Sequence, residues 1–227
     1  ICSSCGLCES KCRFDAISEK EGVYSVNKIN CEGCGYCSLI CPEEAIKMVD
    51  QIVGKFYISN TRFGNTLVHA RLGIGAENSG KLVAKVKSEA KKLADSKELE
   101  YIIVDGSPGI GCPVVSSLSG ANYVVLVTEP TTSGLHDLRR VYKLVANFGI
   151  KAGCIINKAD LNGSVSEEIK RFLDEEGIDL ISMLPYSKVF TDSIIAGRTL
   201  MEAEDRSIAH LIEESWTRIS ELTTKQL

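Results

Sequence analysis

From residue 55 onward, short apolar runs alternate with segments whose apolar residues recur every three to four positions. Residues 55–60 and 67–72 read as strands. Residues 80–94 read as an amphipathic helix with Leu82, Val83, Val86, Ala90 and Leu93 on one face. Residues 101–105 form a short apolar strand ending in an acid, and residues 123–128 form another apolar strand. Residues 135–147 are helical, with Leu135, Leu138, Val141, Tyr142 and Val145 inward. A strand over 153–157 follows. Next comes a helix opening near Ser164, which has capping-box spacing to Glu167. A strand over 178–183 and a closing helix over 208–222 complete the pattern, with Trp216 in the apolar stripe of that helix. Short apolar strands alternating with helices predict an α/β fold: a mostly parallel sheet covered by helices on both faces.

The first 52 residues follow a different rule. Cys2, Cys5, Cys8 and Cys12 are spaced C-x-x-C-x-x-C-x-x-x-C. Cys31, Cys34, Cys37 and Cys41 repeat that spacing, and Pro42 follows the last. This is the bacterial-ferredoxin ligand pattern for two 4Fe–4S clusters, in which the fourth cysteine of each run ligates the other cluster. One cluster is therefore assigned to Cys2, Cys5, Cys8 and Cys41, the other to Cys31, Cys34, Cys37 and Cys12. The neighbours repeat too: Gly6 maps onto Gly35, Ala16 onto Ala45 and Ile17 onto Ile46. A duplicated α+β module with pseudo-twofold symmetry follows. Gly6 and Gly35 would let the backbone approach a sulfide, and the Ala-Ile pairs would pack against the cubes. Arg13 stands where the second run has Pro42. Disulfides would call for an oxidising compartment, and the sequence shows no signal-peptide pattern. Structural zinc uses paired cysteines, not a triple run with a displaced fourth.

The division expected is thus residues 1–52 for the two-cluster module and 53–227 for the α/β domain. The 227-residue chain carries a net charge of −4. Residues 1–50 hold 5 Lys and Arg against 8 Asp and Glu, so most of that charge lies there. An acidic module argues against nucleic acid and for a redox partner with a basic docking face. No apolar run reaches the ~20 residues of a membrane helix. The thiolate framework points to a reducing cytoplasm.

Two stretches carry nucleotide signals. In YIIVDGSPG, residues 101–109, a strand delivers Asp105 to the carboxyl end of the sheet, where open α/β folds bind ligands. There it would hold a magnesium-bound water, with Gly106, Pro108 and Gly109 in a loop that senses a γ-phosphate. In NKAD, residues 157–160, the Asn157 amide can face a purine edge. Each stretch also suits an ordinary turn. Gly75, Gly80 and Lys81 have phosphate-loop spacing, but Leu82 replaces the Ser/Thr that would ligate magnesium, so a loop and helix cap is the preferred reading.

With these motifs in place, the chain resembles the MinD-superfamily P-loop ATPases that carry an inserted ferredoxin domain. The matching stretches are CEGCGYCSLICPEEAI, ENSGKLV, VDGSPGIGCP, TEPTTSGLHDLRRV and INKADLN. The resemblance implies ATP with Mg2+, a homodimer formed across the nucleotide, and ATP state coupled to the clusters. It gives Asp105 the role of Walker B and switch acid and Gly109 that of switch-loop glycine. Asn157 becomes the adenine contact, beside Asp160, with Pro185 and Tyr186 lining the base pocket. Such ATPases begin with a strand and a phosphate loop ahead of the insertion. This sequence starts at Ile1, directly before Cys2, and contains no Lys-Gly-Gly-x-Gly-Lys-Thr run. The expectation is that the intact polypeptide carries that segment upstream.

The leading function is an ATP-binding iron–sulfur protein in which nucleotide state gates electron transfer through two clusters. A cluster carrier that serves client proteins is the alternative. A relative of the cobyrinic acid a,c-diamide synthases, or a ferredoxin on an inactive ATPase scaffold, would also use this architecture. Cys112 lies seven residues after Asp105, where the related nitrogenase iron protein places a cluster ligand. Cys154, inside a strand, reads as a small core residue. His69, His136 and His210 are scattered and form no ligand pair, and no Ser–His–Asp or Cys–His arrangement is visible.

Overall fold

The computed structural model describes residues 1–50, 52–73, 76 and 79–224. It divides into two compact units, Ile1–Val104 and Asp105–Leu227. The boundary expected between residues 52 and 53 lies within the first unit.

In the first unit, two short helices, α1 (Leu7–Ser10) and α2 (Tyr36–Ile40), pack together. The strands β1 (Ile17–Lys20) and β2 (Val23–Val26) pair antiparallel, Ile17 opposite Val26 and Glu19 opposite Tyr24. The strands expected over 55–60 and 67–72 form as β3 (Gly54–Asn60) and β4 (Thr66–Leu72), but as an antiparallel hairpin in a sheet of their own. Their link is a five-residue turn, too short for the helical crossover that parallel strands need. The Thr61 N–H donates to the Asn65 carbonyl at 2.8 Å and closes it. Helix α3 (Gly80–Ser96) packs on β4, and Lys97 Nζ donates to Thr66 Oγ1 at 2.8 Å. Ser79 caps α3 by accepting from the Leu82 N–H.

The second unit holds the parallel sheet, in the order β5 (Tyr123–Thr128), β6 (Lys151–Asn157), β7 (Asp179–Leu184). Helices α5 (Thr132–Asn147) and α6 (Gly163–Glu176) connect the strands. With α4 (Cys112–Leu118) they bury one side of the sheet: Val114, Leu118, Leu135, Leu138, Val145, Ile169 and Leu173 close over Leu126, Cys154 and Ile156. Helix α7 (Lys188–Ile195) follows β7, and α8 (Ala209–Thr224) packs back against it at Ile181. Thr131 caps α5 through the Gly134 N–H. Asn162, rather than the expected Ser164, caps α6 by accepting from the Val165 N–H at 3.3 Å, while Ser164 donates to Asn162.

The strand expected over 101–105 does not form. Tyr101, Ile102, Ile103 and Val104 are exposed and irregular. An apolar run becomes a strand only with a ladder to join, and among the described residues none pairs with it.

Candidate functional site

The duplicated cysteine sequence is duplicated in backbone. Gly6 caps α1 with φ 76° and ψ −3°, and Gly35 caps α2 with φ 75° and ψ −3°. This left-handed conformation is the one glycine adopts without cost, and it turns the chain sharply between the second and third cysteine of each run. In both halves the first two cysteines are exposed and the last two half-buried. The Ala16 N–H donates to Cys12 Sγ, and the Ala45 N–H to Cys41 Sγ, each at 3.4 Å. The Ser4 N–H donates to Cys2 Sγ at the same distance. Burial pushes the Cys8 thiol up, and Cys2 and Cys5 beside it add to the effect.

All eight cysteines are free thiols. Among the described residues no three His, Cys, Asp or Glu side chains converge on a point where one ion would sit. A cube is held differently, since each thiolate binds its own iron corner. Eight soft sulfurs, two matched glycine turns and backbone N–H groups already aimed at sulfur fit 4Fe–4S ligation. Behind the first run Ala16 and Ile17 are buried. Behind the second, Ile46 is half-buried and Ala45 exposed.

The residue facing each glycine turn was not readable from the sequence. A Cβ on Gly6 would lie 3.2 Å from the Tyr24 hydroxyl, and one on Gly35 would lie 3.8 Å from Met48 Cε. Partial burial pushes the Tyr24 phenol up, and Glu9, Glu19, Cys8 and Cys5 push it further.

In the second unit the carboxyl ends of the parallel strands carry a second group. Asn157 ends β6 opposite Leu184, and its side-chain oxygen accepts from the Lys158 N–H at 3.1 Å. Lys158 takes the left-handed conformation, φ 51°, and its Nζ reaches Glu129 at the end of β5, 2.7 Å away. The Ala159 N–H donates to the Leu184 carbonyl at 2.9 Å, and Asp160 Oδ1 accepts from the Tyr186 N–H at 2.7 Å. The ends of all three strands are thus tied together. Asn157, Asp160, Pro185 and Tyr186 come into one neighbourhood, with Pro185 half-buried and Tyr186 54% exposed. A half-buried amide beside an exposed aromatic ring can meet a flat heterocycle by edge and by face. Glu129 and Lys158 brace this edge. The sequence signal for them was only their position just after an apolar strand.

Asp105 lies in an exposed irregular segment, and Gly109 has φ 88°. Among the described residues no hydrogen bond or ion pair links Asp105 to the strand-end group. Gly75 of the phosphate-loop spacing lies outside the described residues, as do Glu77 and Asn78. Cys112 is exposed at the start of α4, and Cys154 is fully buried in β6. His69 Nε2 lies 3.1 Å from Ser59 Oγ, and its ring stacks on Tyr57. Among the described residues no helix is long and apolar enough to cross a membrane.

Comparison with known proteins gives four findings. The 4Fe-4S binding domain family, Fer4, matches residues 24–47. Protein MJ0578 of Methanocaldococcus jannaschii is 30% identical over 220 residues, 97% of this chain and 72% of that protein. The chloroplastic septum site-determining protein minD homolog of Arabidopsis thaliana is 26% identical over 143 residues, 60% of this chain and 44% of that protein. Among solved structures, the cell division ATPase MinD of Pyrococcus furiosus aligns with a TM-score of 0.51 at 18% identity, covering 63% of this chain and 59% of that one. The chain therefore spans less than two thirds of the MinD proteins it matches.

Proposed function

We propose that this chain, which belongs to one family with MJ0578 and is a MinD-type ATPase with a 4Fe–4S ferredoxin domain, couples nucleotide state to electron transfer through two such clusters. That it is an iron–sulfur protein with a MinD-type ATP-binding fold is the premise; the number of clusters and the coupling are the proposal. The observation that carries it is the repeated backbone: two glycine turns with φ 76° and 75°, each followed by an Ala N–H on a cysteine sulfur at 3.4 Å. One such turn would serve one cluster, and two equivalent turns with eight thiols supply two.

When bound, the clusters supply one-electron transfer. Cys2, Cys5, Cys8 and Cys41 would hold one and Cys31, Cys34, Cys37 and Cys12 the other. On the nucleotide side, Asn157 would meet the adenine edge and Tyr186 would cover its face. Asp160 holds the Tyr186 backbone, and Pro185 fixes the path between β7 and that ring. Asp105 would hold a magnesium-bound water, and Gly109 would let the loop after it change shape with the γ-phosphate. Water would attack that phosphate in line, with positioning doing most of the catalysis. The module boundary at residues 52 and 53, a homodimer across ATP, a redox partner with a basic face and a reducing cytoplasm belong to the same reading.

Potentiometric titration of the clusters with and without MgATP tests the coupling. A shift in reduction potential on adding MgATP is expected, and identical titrations would reject it. The exposure of Cys2, Cys5, Cys31 and Cys34 favours a second reading, in which clusters are handed to client proteins. Transfer of iron to an apo-ferredoxin would separate the two, since an electron carrier keeps its clusters.

A further inference from the structure

The two cysteine turns are alike in backbone and unlike in what faces them. Against the turn at Cys5 and Cys8 stands a hydroxyl, Tyr24 Oη, 3.2 Å from where a Gly6 Cβ would be. Against the turn at Cys34 and Cys37 stands a thioether, with Met48 Cε and Sδ 3.8 and 3.9 Å from a Gly35 Cβ. Pairing of β1 with β2 sets Tyr24 opposite Glu19, and Tyr24 is half-buried while the rest of β2 is exposed.

The Tyr24 hydroxyl makes no hydrogen bond to any described residue. The ionisable groups that bear on it are Glu9, Glu19, Cys8 and Cys5. Glu9 is exposed to water, and the Glu19 carboxylate already accepts from the Gly22 N–H. Cys5 and Cys8, two of the ligand cysteines, flank the Gly6 turn that the hydroxyl faces. A phenol donates one O–H, whereas a thioether has nothing to donate.

We propose that Tyr24 donates a hydrogen bond to sulfur at the cluster held by Cys2, Cys5, Cys8 and Cys41, and so makes that cluster the easier of the two to reduce. The proposal rests on the two-cluster reading above. One electron, from an electrode or another one-electron donor, takes a 4Fe–4S cluster from the 2+ to the 1+ state. No bond forms or breaks, and the proton stays on the Tyr24 oxygen. The added negative charge is stabilised by a donor aimed at sulfur, and hydrogen bonds to sulfur are among the factors that set cluster potentials. The Met48 side lacks this donor. Tyr24 is thus a tuning residue that gives the electron a preferred end of the module.

The test uses the full chain, wild type, Tyr24→Phe and Met48→Leu, each with iron analysis and an anaerobic EPR-monitored redox titration. Wild-type iron far below about eight per chain would reject the two-cluster reading itself. With iron complete, two one-electron couples are expected. The higher falls in Tyr24→Phe while the lower stays, and Met48→Leu leaves the higher couple in place. Coincident wild-type couples would overturn the proposal. So would a Tyr24→Phe protein whose higher couple holds still, whose lower couple moves with it, or which loses iron.

Discussion

The Asp160 carboxylate accepts a 2.7 Å hydrogen bond from the Tyr186 backbone N–H, so the turn after β6 is tied to the turn after β7. The two residues are 26 apart in sequence. The bond fixes where Tyr186 leaves the sheet, beside Asn157. Asp160→Ala removes the acceptor and should cost roughly 0.5–1.5 kcal/mol in urea unfolding. Calorimetry should show weaker ATP binding, while iron content stays constant. Unchanged affinity would take Asp160 out of the nucleotide site.

Asp105 is exposed and irregular in this structure, so its replacement should leave the fold alone. Asp105→Asn removes the charge expected to hold a magnesium-bound water. ATP hydrolysis by the intact protein should be lost, with circular dichroism and iron content as in wild type. Turnover that survives the substitution would reject the role given to Asp105.

Gly6 and Gly35 sit at φ 76° and 75°, where an L side chain is strained by roughly 1–2 kcal/mol. Gly6→Ala also brings a methyl group 3.2 Å from the Tyr24 hydroxyl, whereas Gly35→Ala meets only the flexible end of Met48 at 3.8 Å. Both variants should lose iron, Gly6→Ala the more. Iron and acid-labile sulfide assays read the difference directly.

The sheet predicts its own alkaline limit. Burial pushes the Cys154 thiol up to about 12 from 9.0. Burial and then Asp179 push the Tyr123 phenol up to about 12 from 10.0, with Arg218 opposing. Both groups favour the protonated form in the folded state. Their contribution to stability is whole below about pH 9, where neither ionises even when unfolded. It is lost as the pH rises toward 12, because the unfolded chain then releases protons that the folded one keeps. Urea midpoints should be level from pH 7 to 9 and fall above. In Cys154→Ala the fall should begin about one pH unit higher.

Sequence pattern reached the parallel sheet because β5, β6 and β7 are short apolar runs that supply core residues, Leu126, Ile181 and Leu184 buried and Cys154 and Ile156 completely so. It failed at residues 101–105, which have the same composition. Apolarity says that a segment can join a ladder, not that a neighbour is present. It missed α4, which has seven residues and a Pro near its start, too short to show a helical period. The cysteine spacing gave all eight candidate ligands because the pattern is local. The bonds from Asp160 to Tyr186 and from Lys158 to Glu129, and the place of Tyr24 over Gly6, depend on strands meeting across the fold. No local pattern encodes them.

The central claim is that the eight thiols of residues 1–41 hold two cubes rather than one. Iron and acid-labile sulfide, measured per chain on anaerobically purified protein, test it most directly. The account predicts about eight of each, in brown protein whose reduced EPR signal integrates to about two spins per chain. About four of each, or a colourless protein, would contradict it.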